Sequence, residues 1–237
     1  MFIFYRLLLA HVIGDFPLQF TSIYRFKTRS PLGSFVHSGI FGLLAALLVW
    51  PYWNLTRMWG FIFFLWIVHA IQDWLKVLVF EKYKWNNIWV FLLDQFLHIG
   101  FLGMLFPFGL TKLTLPQGLS KLVFLYNDND LVIYAIAFIS IGFGGGILIS
   151  YIKNLCYGGE KVDLNSPKGY IQAIERMLIV GSILLKGYYY LVIPGIWLIH
   201  SGYVMSRKRR EKRFRLSSFF DLILNTAVAV GIMLILK

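Results

Sequence analysis

Apolar residues run through this chain in blocks of roughly twenty, separated by short polar stretches. The blocks fall at roughly 2–20, 33–51, 58–80, 86–107, 130–150, 170–186, 190–205 and 216–236. About twenty apolar residues make a helix long enough to span the hydrocarbon of a bilayer. In lipid, only a helix or a closed barrel satisfies its own backbone. The pattern therefore predicts an all-α fold, a polytopic transmembrane helix bundle of about eight spans. The stretch IVGSILLKGYYYLVIPGIWLIH also fits one long helix kinked at Pro194, which gives seven spans, or a tight re-entrant pair. The longest loop, between 108 and 130, holds Pro116, Gly118 and the run NDND, and has room for a short interfacial helix.

Composition reinforces this reading. Of the 237 residues, 58% are hydrophobic, 18% aromatic and only 14% charged, against about a quarter charged in a soluble domain. Residues 1–237 read as a single integral membrane domain, in which 1–107 form a four-helix polar half and 108–237 the C-terminal helices. The N-terminal run FIFYRLLLAHVIGDF contains His11 and Asp15 and lacks a cleavage site, so it predicts a retained helix rather than a signal peptide. The one cysteine, Cys156, excludes an intrachain disulfide and a thiolate zinc knuckle.

The net charge of +12 would suggest nucleic acid in a soluble protein. Here the cations sit in short loops, so topology explains them and no nucleic-acid partner is expected. Arg25, Lys27, Arg29, Lys82, Lys84, Lys153, Lys161, Lys168 and the run RKRREKRFR at 207–215 fall on one side. The sparser set Arg57, Lys112, Lys121, Lys186 and Lys237 falls on the other. The positive-inside rule makes the first side cytoplasmic, in a bacterial inner membrane, and eight spans put both termini outside. Trp50, Tyr52, Trp53 and Trp59 cluster at one outer boundary, as an aromatic belt does.

The polar residues within the spans carry the chemistry. Ionisable groups there are unfavourable by about 2.5–3.5 kcal/mol on insertion scales, yet they recur in a pattern. The first span holds His11, Asp15 and Gln19; the second opens with His37; the third holds His69, Asp73 and Lys76; the fourth holds Asp94, Gln95 and His98. His11 and Asp15, His69 and Asp73, and Asp94 and His98 are each four apart, which puts both members on one helix face. The carboxylates and His37 lie within about two turns of the cytoplasmic end of their spans, and the other histidines about a turn deeper. HxxxD recurs 58 residues on, each copy preceding a helix with a histidine, which suggests two helical hairpins about a pseudo-twofold axis. Later in the chain, Glu175, His200 and Asp221 lie at a similar depth.

Histidine and carboxylate from facing helices are how bundle metal sites are built, and they suit zinc, manganese or iron. Four histidines and three aspartates exceed one tetrahedral set, so one or two divalent ions are expected, zinc first among them. His11, Asp15, His37, His69, Asp73, Asp94 and His98 are the candidate ligands. Asp15, Asp73 and Asp94 also stand as candidate catalytic groups, the one that is not a ligand acting as general base. Gln19, Gln95 and Glu175 would orient the ligands, and Lys27, Lys76 and Arg176 would hold a phosphate headgroup. Each of these has a plainer reading. Intramembrane histidines commonly form helix-to-helix hydrogen bonds. Lys76 beside Asp73, and Arg176 beside Glu175, also read as salt bridges. The glycine run FGGG at 143–146 reads as close helix packing rather than a phosphate cradle.

HxxxDFxLQ in the first helix, Lys27 soon after, a histidine opening the second helix, HxxxDxxK in the third and DQxLH in the fourth resemble a bacterial family of multi-pass proteins known as domain of unknown function 3307. The later Glu175–Arg176 pair and Asp221 extend the resemblance over most of the chain. Where that family usually has a glutamate and a glycine–threonine near the last helix, this chain has Asp221 and Asn225–Thr226. The resemblance implies a multi-pass membrane protein and no particular activity. More distantly, the HxxxD pairs are similar to those of membrane-bound metal-dependent hydrolases and of zinc-dependent phospholipases C.

The sequence thus predicts a metal-dependent hydrolase acting on a lipid or lipid-linked substrate at the cytoplasmic leaflet. The alternative is a metal-ion or proton transporter or channel, which needs polar positions through the outer half as well; Arg6 and Lys186 are the main ones there. A third reading is a membrane scaffold that binds anionic lipid or a protein partner through the basic run at 207–215.

Overall fold

The structure, a computed structural model, describes residues 1–83, 88–110, 113, 121–157, 167–185, 191–206, 222–223 and 226–227. The basic run at 207–215, together with Lys84, Lys112, Lys161, Lys186, Asp221, Asn225 and Lys237, lies outside the described residues, as do the side chains of Lys153 and Lys168. Among the described residues every regular element is helical. Four helical segments are long and apolar enough to cross a membrane: Pro31–Leu48, Thr56–Tyr83, Ile88–Leu105 and Asn129–Tyr151. The chain divides into two compact units, Met1–Ala137 and Phe138–Lys237.

The first unit opens with α1 (Phe2–Asp15) and the short α2 (Thr21–Lys27). The apolar run at 2–20 is therefore not one helix. Pro17 has no N–H to extend the ladder, and Leu18 N instead reaches back five residues to the Ile13 carbonyl at 3.1 Å. Helix α3 (Pro31–Leu48) starts where Ser30 Oγ accepts from Leu32 N at 3.2 Å, with proline at the first helical position. Beyond its end Trp53 Nε1 donates to the Ala46 carbonyl at 2.7 Å, satisfying one of the carbonyls a helix end leaves open. Helices α4 (Thr56–Tyr83) and α5 (Ile88–Leu102) follow. Helix α1 packs on α3 and α5, and α4 packs on the same two, so the four close into a ring.

One end of that ring is an apolar plug. Ile3, Leu7 and Ala10 of α1 meet Phe41 and Ala45 of α3, Phe61 and Leu65 of α4, and Leu102 beside Leu105. In each helix these residues lie to one side of its histidine in sequence, before it in α1 and α4 and after it in α3 and α5. Arg6 is the cation on this apolar side, and it is buried. Its guanidinium donates to Asn129 Oδ1, the Tyr126 carbonyl and the Phe2 carbonyl, and stacks on the Phe2 ring. It thereby fastens α1 to α6 (Lys121–Asn127), a short helix in the long loop, and to the start of α7 (Asn129–Ile139). Tyr126 adds a 2.8 Å bond from its hydroxyl to the Leu48 carbonyl. Burial pushes that phenol up, so the donor stays protonated through the neutral range.

In the second unit a π-helical stretch, Ser140–Gly144, leads into α8 (Gly145–Tyr157). Helix α9 (Pro167–Leu185) packs against both and against α10 (Val192–Ser206). The two predicted blocks at 170–186 and 190–205 correspond to α9 and α10, with residues 186–190 between them outside the described residues, and Pro194 sits in the first turn of α10, where its missing N–H loses no bond. Gly142 faces α9 so closely that a Cβ there would collide with Met177.

Candidate metal centre

Helical spacing brings the polar side chains of the first unit to the end of the ring opposite the apolar plug. Asp15 Oδ1, on α1, lies 3.3 Å from His37 Nε2 on α3 and 3.2 Å from His69 Nε2 on α4. Asp73 Oδ2, a turn below His69, lies 3.6 Å from His37 Nε2 and 3.5 Å from His69 Nε2. All four residues are buried, Asp73 to 1% and Asp15 to 7% exposure. None of these four atoms makes an aligned hydrogen bond. Buried polar atoms at such distances are ordinarily hydrogen-bonded, and exceptions call for an explanation.

The spacing fits one. Four nitrogen and oxygen donors at about 2.0–2.2 Å from a common centre stand about 3.3–3.6 Å apart in a tetrahedron. Four of the six edges of such a set, from Asp15 and Asp73 to His37 and His69, run from 3.2 to 3.6 Å, and ligand atoms of His37, His69 and Asp73 all lie within 4.8 Å of one another. Two imidazoles and two carboxylates are also a donor set suited to zinc. Charge points the same way: among the described residues Asp15 pairs with imidazoles, those of His11, His37 and His69, and a buried carboxylate without a cation is strongly unfavourable.

The lysines and glutamines stand around this quartet. Lys27 Nζ lies 2.6 Å from Asp73 Oδ1. It gets there because α2 and α3 nearly touch: a Cβ on Gly33 would collide with the Phe26 carbonyl and the Lys27 backbone nitrogen. Gln19, with its amide turned to suit both neighbours, donates to the Asp15 carbonyl oxygen at 3.2 Å and accepts from Lys27 Nζ at 3.1 Å. Lys76 Nζ lies 2.6 Å from Asp94 Oδ2, an oxygen that also accepts from Gln95 Nε2 at 3.3 Å. Lys27 and Lys76, read from sequence as headgroup ligands, are therefore held on carboxylates, and Lys76 chooses Asp94 on the next helix over Asp73 on its own.

His11 and His98 lie on the plug side of the quartet, with ring centroids 5.2 Å apart; His98 is 4.3 Å from His69. His98 Nδ1 is 2.7 Å from the Asp94 carbonyl oxygen. A carbonyl only accepts, so Nδ1 carries the proton and Nε2 is left with a lone pair. A cavity no larger than a water molecule lies between His11, His69, His98 and Gln72. Gln72 is one residue that sequence reasoning passed over; Ser34 and Ser38, both fully buried beside His37 on α3, are others. Their signal was present as serines at i and i+4 in an otherwise apolar helix face.

Glu175 and Arg176 belong to the second unit. There Glu175 Oε1 lies 2.9 Å from His200 Nδ1. Arg176 is buried and its Nε donates to the carbonyls of Ile141 and Gly142 at 3.2 and 2.9 Å, inside the π-helical stretch. Such a stretch shifts its backbone bonds and leaves carbonyls to be satisfied. The guanidinium read as a headgroup ligand is thus occupied by backbone. Asp221 lies outside the described residues.

Fold and centre together define a class: an all-helical chain with four helices long enough to cross a membrane and a buried histidine–aspartate cluster. Residues 3–122, half of the chain, match the family model described as "Protein of unknown function (DUF3307)". The chain belongs to that family, and the matched residues contain the whole cluster. No curated protein and no solved structure matches it.

Proposed function

We propose that this chain is a multi-pass protein of a bacterial inner membrane whose buried cluster holds a divalent metal ion and hydrolyses a lipid or lipid-linked substrate at the cytoplasmic leaflet. The observation that carries the reading is the quartet Asp15, His37, His69 and Asp73, in which each carboxylate lies within 3.6 Å of both imidazoles, a spacing that ligands of one ion adopt. Zinc suits the donors best; manganese and iron are the other choices. In this reading the chain has about eight spans and both termini outside, as the loop charges indicate.

Asp15, His37, His69 and Asp73 would hold the ion, and Gln19 and Lys27 would orient Asp15 and balance Asp73. A bound divalent ion supplies hydroxide at neutral pH by lowering the pKa of its water. His98, with its proton fixed on Nδ1, offers Nε2 at the cavity as a proton acceptor, and Asp94 anchors that ring through its backbone carbonyl. The scissile bond would be a phosphoester or an amide. The apolar plug favours this one-sided pocket over a transport path, because a path needs polar positions at both ends, and Arg6 on the far side is already committed to α6.

Elemental analysis of the purified protein tests the reading. The wild type is expected to retain metal through purification, and His69→Ala to lose it while keeping its helical content by circular dichroism. A wild type without metal, its carboxylates balanced by protonated imidazoles instead, would overturn the proposal.

A further inference from the structure

A second group of donors adjoins the quartet. One ligand atom each from Asp73, Asp94 and His98 lies within 4.8 Å of the others, and all three residues are buried. Asp73 belongs to both groups. Its Oδ2 faces His37 and His69, while its Oδ1 faces away, 4.0 Å from His98 Nε2. That Nε2 carries a lone pair, has no hydrogen-bond partner and sits on a residue only 3% exposed. Two carboxylates and an imidazole sharing a bridging aspartate are the donor set of the second ion in a two-metal site, where the ions stand about 3.5–4 Å apart.

Two ammonium groups already occupy its charge. Lys27 Nζ sits 2.6 Å from Asp73 Oδ1, and Lys76 Nζ sits 2.6 Å from Asp94 Oδ2. These are the oxygens, or the carboxyl groups, that a second ion would need. Both lysines arrive from outside the ligand set, one from α2 and one from a turn below Asp73 on α4. An ammonium is a compact point charge on a flexible stem, so it can balance a carboxylate without filling a coordination sphere.

We infer that Asp73, Asp94 and His98 form a second divalent-cation subsite, and that Lys27 and Lys76 take the place of its ion, so that the wild-type centre holds a single metal. This rests on the quartet binding an ion as proposed above. Removing an ammonium leaves a buried carboxylate unpaired, which is strongly unfavourable, and a divalent ion is the available replacement. The arrangement also leaves His98 Nε2 free for proton transfer in the wild type.

The test measures Mn²⁺ bound per chain and its electron paramagnetic resonance in the full-length protein equilibrated with Mn²⁺ alone. The wild type is expected to show an isolated-ion spectrum. Lys76→Met is expected to roughly double the bound Mn²⁺ and to show the exchange coupling of two ions sharing a carboxylate. Lys76→Arg, which keeps the charge, stays at the wild-type level. Lys27→Met provides an independent variant with the same expected doubling, should the other fail to fold. A coupled pair in the wild type, or unchanged Mn²⁺ in a folded methionine variant, overturns the inference and leaves the quartet's ion standing. A wild type that binds no Mn²⁺ and no other divalent ion removes both.

Discussion

Asp73 does the work of two residues because its two oxygens face different neighbours. Oδ2 is shared between two imidazoles, and Oδ1 takes an ammonium at 2.6 Å. Among the described residues no ammonium pairs with Asp15; what it has is Gln19, whose amide ties the Asp15 backbone to Lys27. Partners of this indirect kind typically change metal affinity by 10–100-fold when removed. Gln19→Ala is therefore expected to weaken metal binding about tenfold, read by competition with a chelator of known affinity, with little change in helical content. At this scale the candidate residues were legible, because i,i+4 spacing fixes which side chains share a helix face. Their partners were not. Lys76 stands three residues from Asp73, yet its ammonium crosses to Asp94 on α5, and the register between two helices is not written in the periodicity of either.

At the scale of elements, the joint between α2 and α3 decides whether Lys27 reaches the centre. Hydropathy reads 2–20 as one span because Phe16, Leu18 and Phe20 are as apolar as what precedes them; the break comes from Pro17, which matters to backbone bonds and not to hydropathy. Gly33 is the residue that lets α2 fold back, since any Cβ there meets backbone atoms that cannot swing aside. Gly33→Ala is expected to destabilise the protein by about 1–3 kcal/mol, in the range of an overpacked site, seen as a lower midpoint of thermal unfolding in detergent. It should also reduce metal retention, because the shift moves Lys27 off Asp73. An unchanged midpoint together with unchanged retention would show that α2 yields without consequence.

At the scale of the molecule, the ring of α1, α3, α4 and α5 is polar at one end and closed by Phe41, Phe61, Leu65 and Leu102 at the other. This asymmetry predicts sidedness. A membrane-impermeant chelator is expected to strip the metal from inverted vesicles, which expose the cytoplasmic face, and to leave it in right-side-out ones. Equal stripping from both faces would speak for the transport alternative. The layout of the first half was legible because four apolar blocks, read in alternating directions, placed their ionisable residues at one level, something chance does not arrange. The second unit was harder to read, since Arg176 finds its acceptors in a π-helical stretch that no residue pattern announces.

Arg6 gives α1 a mechanical character. The helix is bolted at one end by a guanidinium gripping the loop helix and its successor, and at the other by a carboxylate among imidazoles. The two fastenings lie nine residues apart in sequence, roughly 14 Å along the axis. A rod pinned at both tips cannot slide or swivel by small steps. It stays in register, and that keeps Asp15 where its neighbours need it.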